Sequence, residues 1–235
     1  MQKVIHKSET RGTANFGWLD SKHTFSFGQY FNPDRVRFGM LRVLNDDVVI
    51  GGAGFPTHPH SNMEIVSIPL NGSLAHRDST GTEKVIQTGE VQIMSAGSGI
   101  THSEYNASKI DEVNFLQIWV LPKEENITPR YDQKLFNSID RKNKFQTVVS
   151  PTEDNSLWIN QDAWFSLADI DANTSISYKV NQSGNGVYIF LIDGELEIDG
   201  TLLNKRDAAA VTDTEMLEVK AKTGSKVLVI EVPMN

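Results

Sequence analysis

The chain has 235 residues, of which 39% are hydrophobic and 22% charged, with no cysteine and a formal net charge of −8. These figures describe an ordinary globular chain, long enough for one large domain or two small ones. They exclude disulfides, cysteine-ligated zinc or iron–sulfur sites and thiol nucleophiles, and they argue against a nucleic-acid-binding surface.

The opening segment Met1–Ser21 has no apolar core behind basic residues, so no signal peptide is expected. No stretch approaches the roughly 18 apolar residues of a membrane span. The expectation is a cytoplasmic protein with no membrane contact. Further along, short apolar runs predict strands at Phe38–Leu44, Met63–Leu70, Val91–Ala96 and Phe115–Leu121. A second series falls at Ala163–Ile170, Ser175–Val180, Gly186–Ile192 and Lys226–Val232. Between them Asn71-Gly72, Asp193-Gly194, Asp199-Gly200 and Ser183-Gly184-Asn185-Gly186 mark tight turns, because Gly and Asn accept positive φ cheaply. Glu125–Lys144 is polar, contains Pro129 and reads as a linker with one helical turn. The class is all-β, sandwich or barrel.

A weak internal echo points to two copies of one unit. Asn71-Gly72-Ser73-Leu74 follows the apolar run Ile65–Leu70, and Asp193-Gly194-Glu195-Leu196 follows Val187–Ile192. Each copy ends in an apolar run and a proline, Pro122 in one and Pro233 in the other.

All six histidines lie between His6 and His102, so a histidine-held metal belongs to the N-terminal half. On a strand, residues i and i+2 share a face. His58 and His60 can therefore present two imidazoles to one side, and His102 and Glu104 an imidazole and a carboxylate. If the two strands face each other across a barrel, three neutral nitrogens and one anionic oxygen converge. That set suits Fe(II), Mn, Co, Ni, Cu or Zn and leaves positions open for substrate or oxygen, as a catalytic site requires. Gly51-Gly52-Ala53-Gly54 and Gly97-Ser98-Gly99 precede the two pairs and permit bends that aim side chains inward. His76 reads either as an ordinary hairpin residue or as a partner behind the ligands. His23 reads as locally packed, and His6 has no context.

At these residues the sequence resembles a cupin. Gly52, His58-x-His60 and Glu64 match the start of the first cupin motif, whose closing glycine comes one residue late, at Gly72. The second motif is looser, Gly89–Gly99, with Ser95 at its proline and His102 two residues late. These departures resemble the pirin family. The matching strings are HTFSFGQYFNP (His23–Pro33), GFPTHPH (Gly54–His60), MEIVSIPLNG (Met63–Gly72), HRDSTG (His76–Gly81), GEVQIMSAGSGITHSEYN (Gly89–Asn106), LQIWVLP (Leu116–Pro122) and ITPRYDQ (Ile127–Gln133). They cover most of residues 10–135; VLVIEVP (Val227–Pro233) matches more weakly.

The resemblance implies a bicupin, two β-barrel (double-stranded β-helix) domains packed face to face in a monomer, with metal in residues 1–135 and none in 136–235. The ligands it implies are His58, His60, His102 and Glu104, with Glu64, a ligand in ordinary cupins, beside or just behind them. It further implies quercetin 2,3-dioxygenase activity: one divalent transition metal, Fe(II) foremost, with a flavonol and dioxygen as substrates. Glu104, or Glu64 near it, is then the catalytic base. Phe55, Met63 and Ile100 neighbour the ligands in sequence and are candidate substrate walls, with plain core packing as the alternative. Another reading is a metal- or redox-dependent regulatory protein that binds a transcription factor or a metabolic enzyme.

Overall fold

The structure, a computed structural model, describes residues 1–152 and 155–235. Its first part carries strands β1 (Gln2–His6), β2 (Gly12–Asn15), β3 (Leu19–His23), β4 (Leu41–Val49), β5 (Gly54–His60), β6 (Glu64–Asn71), β7 (Ser73–Asp78), β8 (Glu83–Gln87), β9 (Glu90–Ser95), β10 (Ile100–Asn106), β11 (Val113–Val120) and β12 (Arg130–Leu135). The second part carries β13 (Gln146–Ser150), β14 (Leu157–Trp158), β15 (Trp164–Ile170), β16 (Ser175–Lys179), β17 (Gly186–Asp193), β18 (Glu195–Ile198), β19 (Thr201–Asn204), β20 (Ala208–Thr212), β21 (Met216–Ala221) and β22 (Ser225–Val232). Among the described residues no helix is long and apolar enough to cross a membrane.

The strands form two matching sheet pairs. In the first, a seven-stranded sheet ordered β12-β9-β6-β11-β4-β3-β2 packs against a four-stranded sheet ordered β5-β10-β7-β8. In the second, β1-β20-β17-β22-β15-β13-β14 packs against β16-β21-β18-β19. Each pair is a sandwich rather than a closed ring. The two large sheets also face each other. Leu44, Val66 and Ile118 from one join Phe165, Tyr188 and Leu228 from the other in a single buried cluster. This is the all-β, face-to-face bicupin that the sequence leads one to expect.

The packing explains the sequence pattern. A strand of the large sheet is covered on both sides, so it reads as a continuous apolar run rather than an alternation. Along β6, Val66 and Ile68 enter the cluster between the halves, while Ile65 belongs to a cluster inside the first sandwich. The repeated turns also occupy equivalent places. Asn71-Gly72 joins β6 to β7 and Asp193-Gly194 joins β17 to β18, with Gly72 at φ +77° and Gly194 at φ +93°. β6 lies between β9 and β11 just as β17 lies between β20 and β22.

Three details depart from the sequence expectation. The strand placed at Phe38–Leu44 runs instead over Leu41–Val49. Phe38 and Leu41 exchange backbone hydrogen bonds across a turn at Gly39, and the strand continues through Asn45-Asp46-Asp47, which reads as polar punctuation. The supposed linker Glu125–Lys144 contributes β12, an edge strand paired with β9, and a short 3-10 turn at Ser138–Arg141. Finally, β1 pairs with β20, so the first residues of the chain complete the sheet of the second half.

Candidate metal centre

Strand β10 is the axis of the site. It pairs with β5 on one side and β7 on the other. His102 stands opposite His58 in β5 and opposite Asp78 in β7, and Glu104 stands opposite His76. Register shifts between His102 and Glu104 where β10 meets β5. Inward and outward residues alternate along β10, and Ile100, His102, Glu104 and Asn106 are all buried. Gly54 permits the close approach of β5, since a Cβ there would overlap the Glu104 carbonyl oxygen and the Tyr105 Cα.

Three imidazoles meet. The rings of His58, His60 and His102 form a triangle with centroid separations of 4.5 to 4.9 Å. Each offers a nitrogen to a group whose candidate ligand atoms lie within 4.8 Å of one another. His58 donates through Nδ1 to the Pro56 carbonyl at 2.7 Å, which turns its Nε2 toward the other two rings. That Nε2 lies 3.0 Å from Nε2 of His102, whose own Nδ1 is buried without a partner. Two nitrogens bound at about 2.1 Å and at right angles to each other would be about 3 Å apart, so the gap fits a shared cation. Burial, followed by the neighbouring His58, lowers His60 to about 4 and His102 to about 2. Both rings are therefore neutral at physiological pH, as metal ligation requires.

Glu104 belongs to a second, overlapping group with His102 and His76. Its carboxylate is fully enclosed. Gln117 Nε2 donates to Oε2 at 2.6 Å, and the Ser67 hydroxyl lies 3.2 Å from Oε1 and 2.9 Å from the Gln117 oxygen. Burial pushes the carboxyl up to about 7 against the opposing pull of those two donors. His76 is buried, with Nε2 on Asp78 at 2.8 Å and its ring over Tyr131 and beside His102. His76 is itself a member of that second candidate group, and among the described residues its Nδ1 has no partner.

A cavity of about 910 Å³ opens onto this centre. His58, His60, Glu104 and Gln117 form one part of its wall, and Phe55, Trp18, Phe27 and Trp119 supply apolar surface. Strands β3 and β4 add four polar side chains, Ser21, His23, Asn45 and Asp47, beside Leu19. His23 and Asn45 belong to a polar row that crosses the large sheet in register, His23 to Asn45, Asn45 to Gln117, Gln117 to Ser67 and Ser67 to Gln92, with Ser21 and Asp47 as the pair beside it. Apolar clusters flank the row, one around Phe115 and Leu74 and one around Ile65 and Met94.

The expected site residues therefore separate. Phe55 does line the cavity. Met63 and Ile100 do not; they pack in the Ile65–Met94 cluster, because that apolar end of the sandwich is filled. Glu64 is also not at the metal side. It shares a strand face with Val66, opposite to Ser67, and receives hydrogen bonds from Ser95 Oγ at 2.8 Å and from the Asn160 N–H at 3.1 Å. His23 lines the cavity edge-on to Phe27, and His6 bonds the Tyr188 hydroxyl between the halves. The sequence reading missed Ser67, Gln117 and Asp47. The signal for Ser67 and Gln117 is a single polar residue inside an apolar strand, as in Ile65–Leu70 and Phe115–Val120, whereas Asp47 lies in the polar run Asn45-Asp46-Asp47.

Comparison with known proteins agrees with this construction. The family model described as Pirin matches residues 4–120, and that described as Quercetinase C-terminal cupin domain matches residues 147–232. The chain is 41% identical over 234 residues to quercetin 2,3-dioxygenase of Escherichia coli K12, covering 97% of this chain and 98% of that protein. It is 36% identical over 222 residues to a pirin-like protein of Caulobacter vibrioides, covering 94% and 95%. Among solved structures it matches YhhW from E. coli with a TM-score of 0.94 at 39% identity, over 99% of this chain and 98% of that one. It matches the nickel(II) complex of the bacterial pirin YhhW with a TM-score of 0.93 at 39% identity, over 99% of both. With both halves matched and these relatives spanning nearly its whole length, the chain belongs to the pirin family.

Proposed function

We propose that this chain is a metal-dependent dioxygenase that opens the ring of a flavonol such as quercetin. The observation that carries the reading is the meeting of three imidazoles, with the buried Glu104 carboxylate in a second group that shares His102, beside a large, mostly apolar cavity lined by His58, His60 and Glu104. The 41%-identical E. coli relative named as a quercetin 2,3-dioxygenase, and the nickel(II) complex of the bacterial pirin, support it. His58, His60, His102 and Glu104 would hold one divalent transition metal, Fe(II) foremost. When bound, the metal would supply Lewis acidity toward the flavonol 3-oxygen and a path for electrons to dioxygen.

The chain's own residues do the rest. Glu104 would take the 3-hydroxyl proton, as a carboxylate on the cavity wall is placed to do. Gln117 and Ser67 fix the carboxylate's orientation. Trp18, Phe27, Phe55 and Trp119 offer flat apolar surface to a planar ring system and exclude water from it. The flavonol and dioxygen are consumed, and a depside and carbon monoxide are released, which accounts for every atom. Residues 1–135, apart from β1 in the second half's sheet, would form the metal-bearing unit and 136–235 the metal-free one, acting as a monomer.

The test is quercetin turnover in air by Fe(II)-loaded protein, following loss of flavonol absorbance and release of carbon monoxide. Release that is lost in His102→Ala supports the reading. No release from protein carrying one metal per chain overturns it in favour of the regulatory alternative. Glu104→Gln with metal retained and full activity would remove Glu104 from the role of base.

A further inference from the structure

The metal centre occupies only part of the cavity wall. The β3–β4 part carries four polar side chains that no structural need of the sandwich explains. Asp47 is 3% exposed, although its neighbours in the same sandwich include Val49, Phe115 and Leu19. The Ser21 hydroxyl, directly opposite in register, donates to Asp47 Oδ1. Among the described residues no protein donor reaches Oδ2. The adjacent pair His23 and Asn45 is also buried, and His23 Nδ1 and Asn45 Oδ1 have no partner. All four residues line the same cavity as His58, His60 and Glu104. Asn45 and Asp47 lie on the strand next to the one carrying Gln117, and Ser21 and His23 on the strand after that. One to two strand spacings, roughly 5 to 10 Å, therefore separate these residues from Gln117, the donor to Glu104, so a single ligand in the cavity can reach both ends.

We propose that Ser21, His23, Asn45 and Asp47 form a second polar pole of the cavity, which receives a phenolic hydroxyl on the end of a polyphenol remote from the metal and so sets which hydroxylation patterns are accepted. The proposal rests on the flavonol reading above and adds to it a specificity-determining site. Asp47 supplies the acceptor, Ser21 holds it in place, and Asn45 and His23 offer the unpaired atoms to a neighbouring hydroxyl. Burial, with Asp46 and Glu104 adding to it, pushes the Asp47 carboxyl up to about 7. A ligand hydroxyl would supply the donor that its ionised form lacks. A pocket with unpaired buried polar atoms discriminates strongly against an analogue that lacks the matching hydroxyl.

The experiment is an anaerobic binding titration of metal-loaded protein with two probes, read by the fluorescence of Trp18 and Trp119 in the cavity wall. 3-Hydroxyflavone carries only the hydroxyl directed to the metal, whereas quercetin carries further hydroxyls on both end rings. The wild-type chain is expected to bind quercetin at least about tenfold more tightly than 3-hydroxyflavone, the value of one hydrogen bond to a charged group. In Asp47→Leu the two Kd values should converge. Asp47→Asn, which keeps the shape and one acceptor, and Ser21→Ala should give intermediate ratios, and they decide the matter if the leucine variant does not fold. A ratio unchanged from wild type in these variants, or no preference in the wild type, overturns the second pole while leaving the flavonol reading intact. Failure of the wild type to bind either probe overturns both.

Discussion

The two halves share one plan and differ in what fills it. Each pairs a seven-stranded sheet with a four-stranded one, with the equivalent turn glycines Gly72 and Gly194. Inside the second half Ile189, Leu191, Val227, Val229, Ala209 and Val219 close into a continuous apolar cluster. Inside the first half a polar row runs between two apolar ends, and a cavity of about 910 Å³ opens beside it. The scaffold therefore does not dictate chemistry. A handful of polar side chains on otherwise apolar strands, held in register by the sheet, turns a packed interior into a site.

The largest effect that separates the halves is on stability. Ile189→Ala removes buried volume from the filled interior, and such truncations cost about 2–5 kcal/mol. Denaturant unfolding should show that loss, with metal content per folded chain unchanged. A fall in metal content that exceeds the unfolded fraction would mean that the second half takes part in holding the metal. A smaller effect is expected from Gln117→Leu in the first half. It removes the donor to Glu104 Oε2 and leaves a buried carboxylate oxygen unpaired. Loss of such a supporting partner typically lowers metal affinity or turnover by about 10–100-fold. Metal titration and quercetin turnover both report it; full retention of each would show that Gln117 does not position Glu104.

Much of this contrast is legible in the sequence. Confinement of histidine to the first 102 residues locates the metal-competent half, and the i, i+2 spacing in His58-Pro59-His60 and His102-Ser103-Glu104 puts each pair on one face. What the sequence hides is the second side of each strand. Glu64 and Ser67 lie three residues apart on one strand, so they point to opposite faces, one toward the other half and one toward Glu104. Which parity faces the metal depends on sheet packing, which no local pattern specifies. Asn45-Asp46-Asp47 misleads for a related reason: polar residues normally end a strand, yet here Asn45 and Asp47 line a cavity inside one, while Asp46 on the other face pairs with Arg11 and Arg206. Met63 and Ile100 neighbour ligands along the chain but pack at the filled end of the sandwich, because proximity in sequence on a strand carries no information about depth along the interior.

The smallest expected effect sharpens the comparison through one buried glutamate in each half. Glu231 accepts hydrogen bonds from the Tyr178 hydroxyl, from the backbone N–H of Asn181 and Gln182 and from the side-chain amides of Asn181 and Asn185. Among the described residues Glu64 accepts from Ser95 and Asn160 only, and its Oε1 has no partner. Burial pushes Glu64 from its ordinary 4.5 up to about 7. The folded chain therefore keeps a proton that the unfolded chain has released between those values, so Glu64 makes stability fall as pH rises through that window. Asp47 and Glu104, both raised to about 7 by burial, act in the same direction. Glu64→Gln should flatten part of the decline, with a gain of about 1–3 kcal/mol at pH 7 relative to pH 4.5. Glu231→Gln should instead cost stability at pH 7, because an amide N–H₂ placed among five donors leaves some of them unmatched. Unfolding midpoints of the two variants across pH 4.5 to 7 decide the matter; if both shift the same way, the two carboxylates are equivalent and the difference in their donor shells is without consequence.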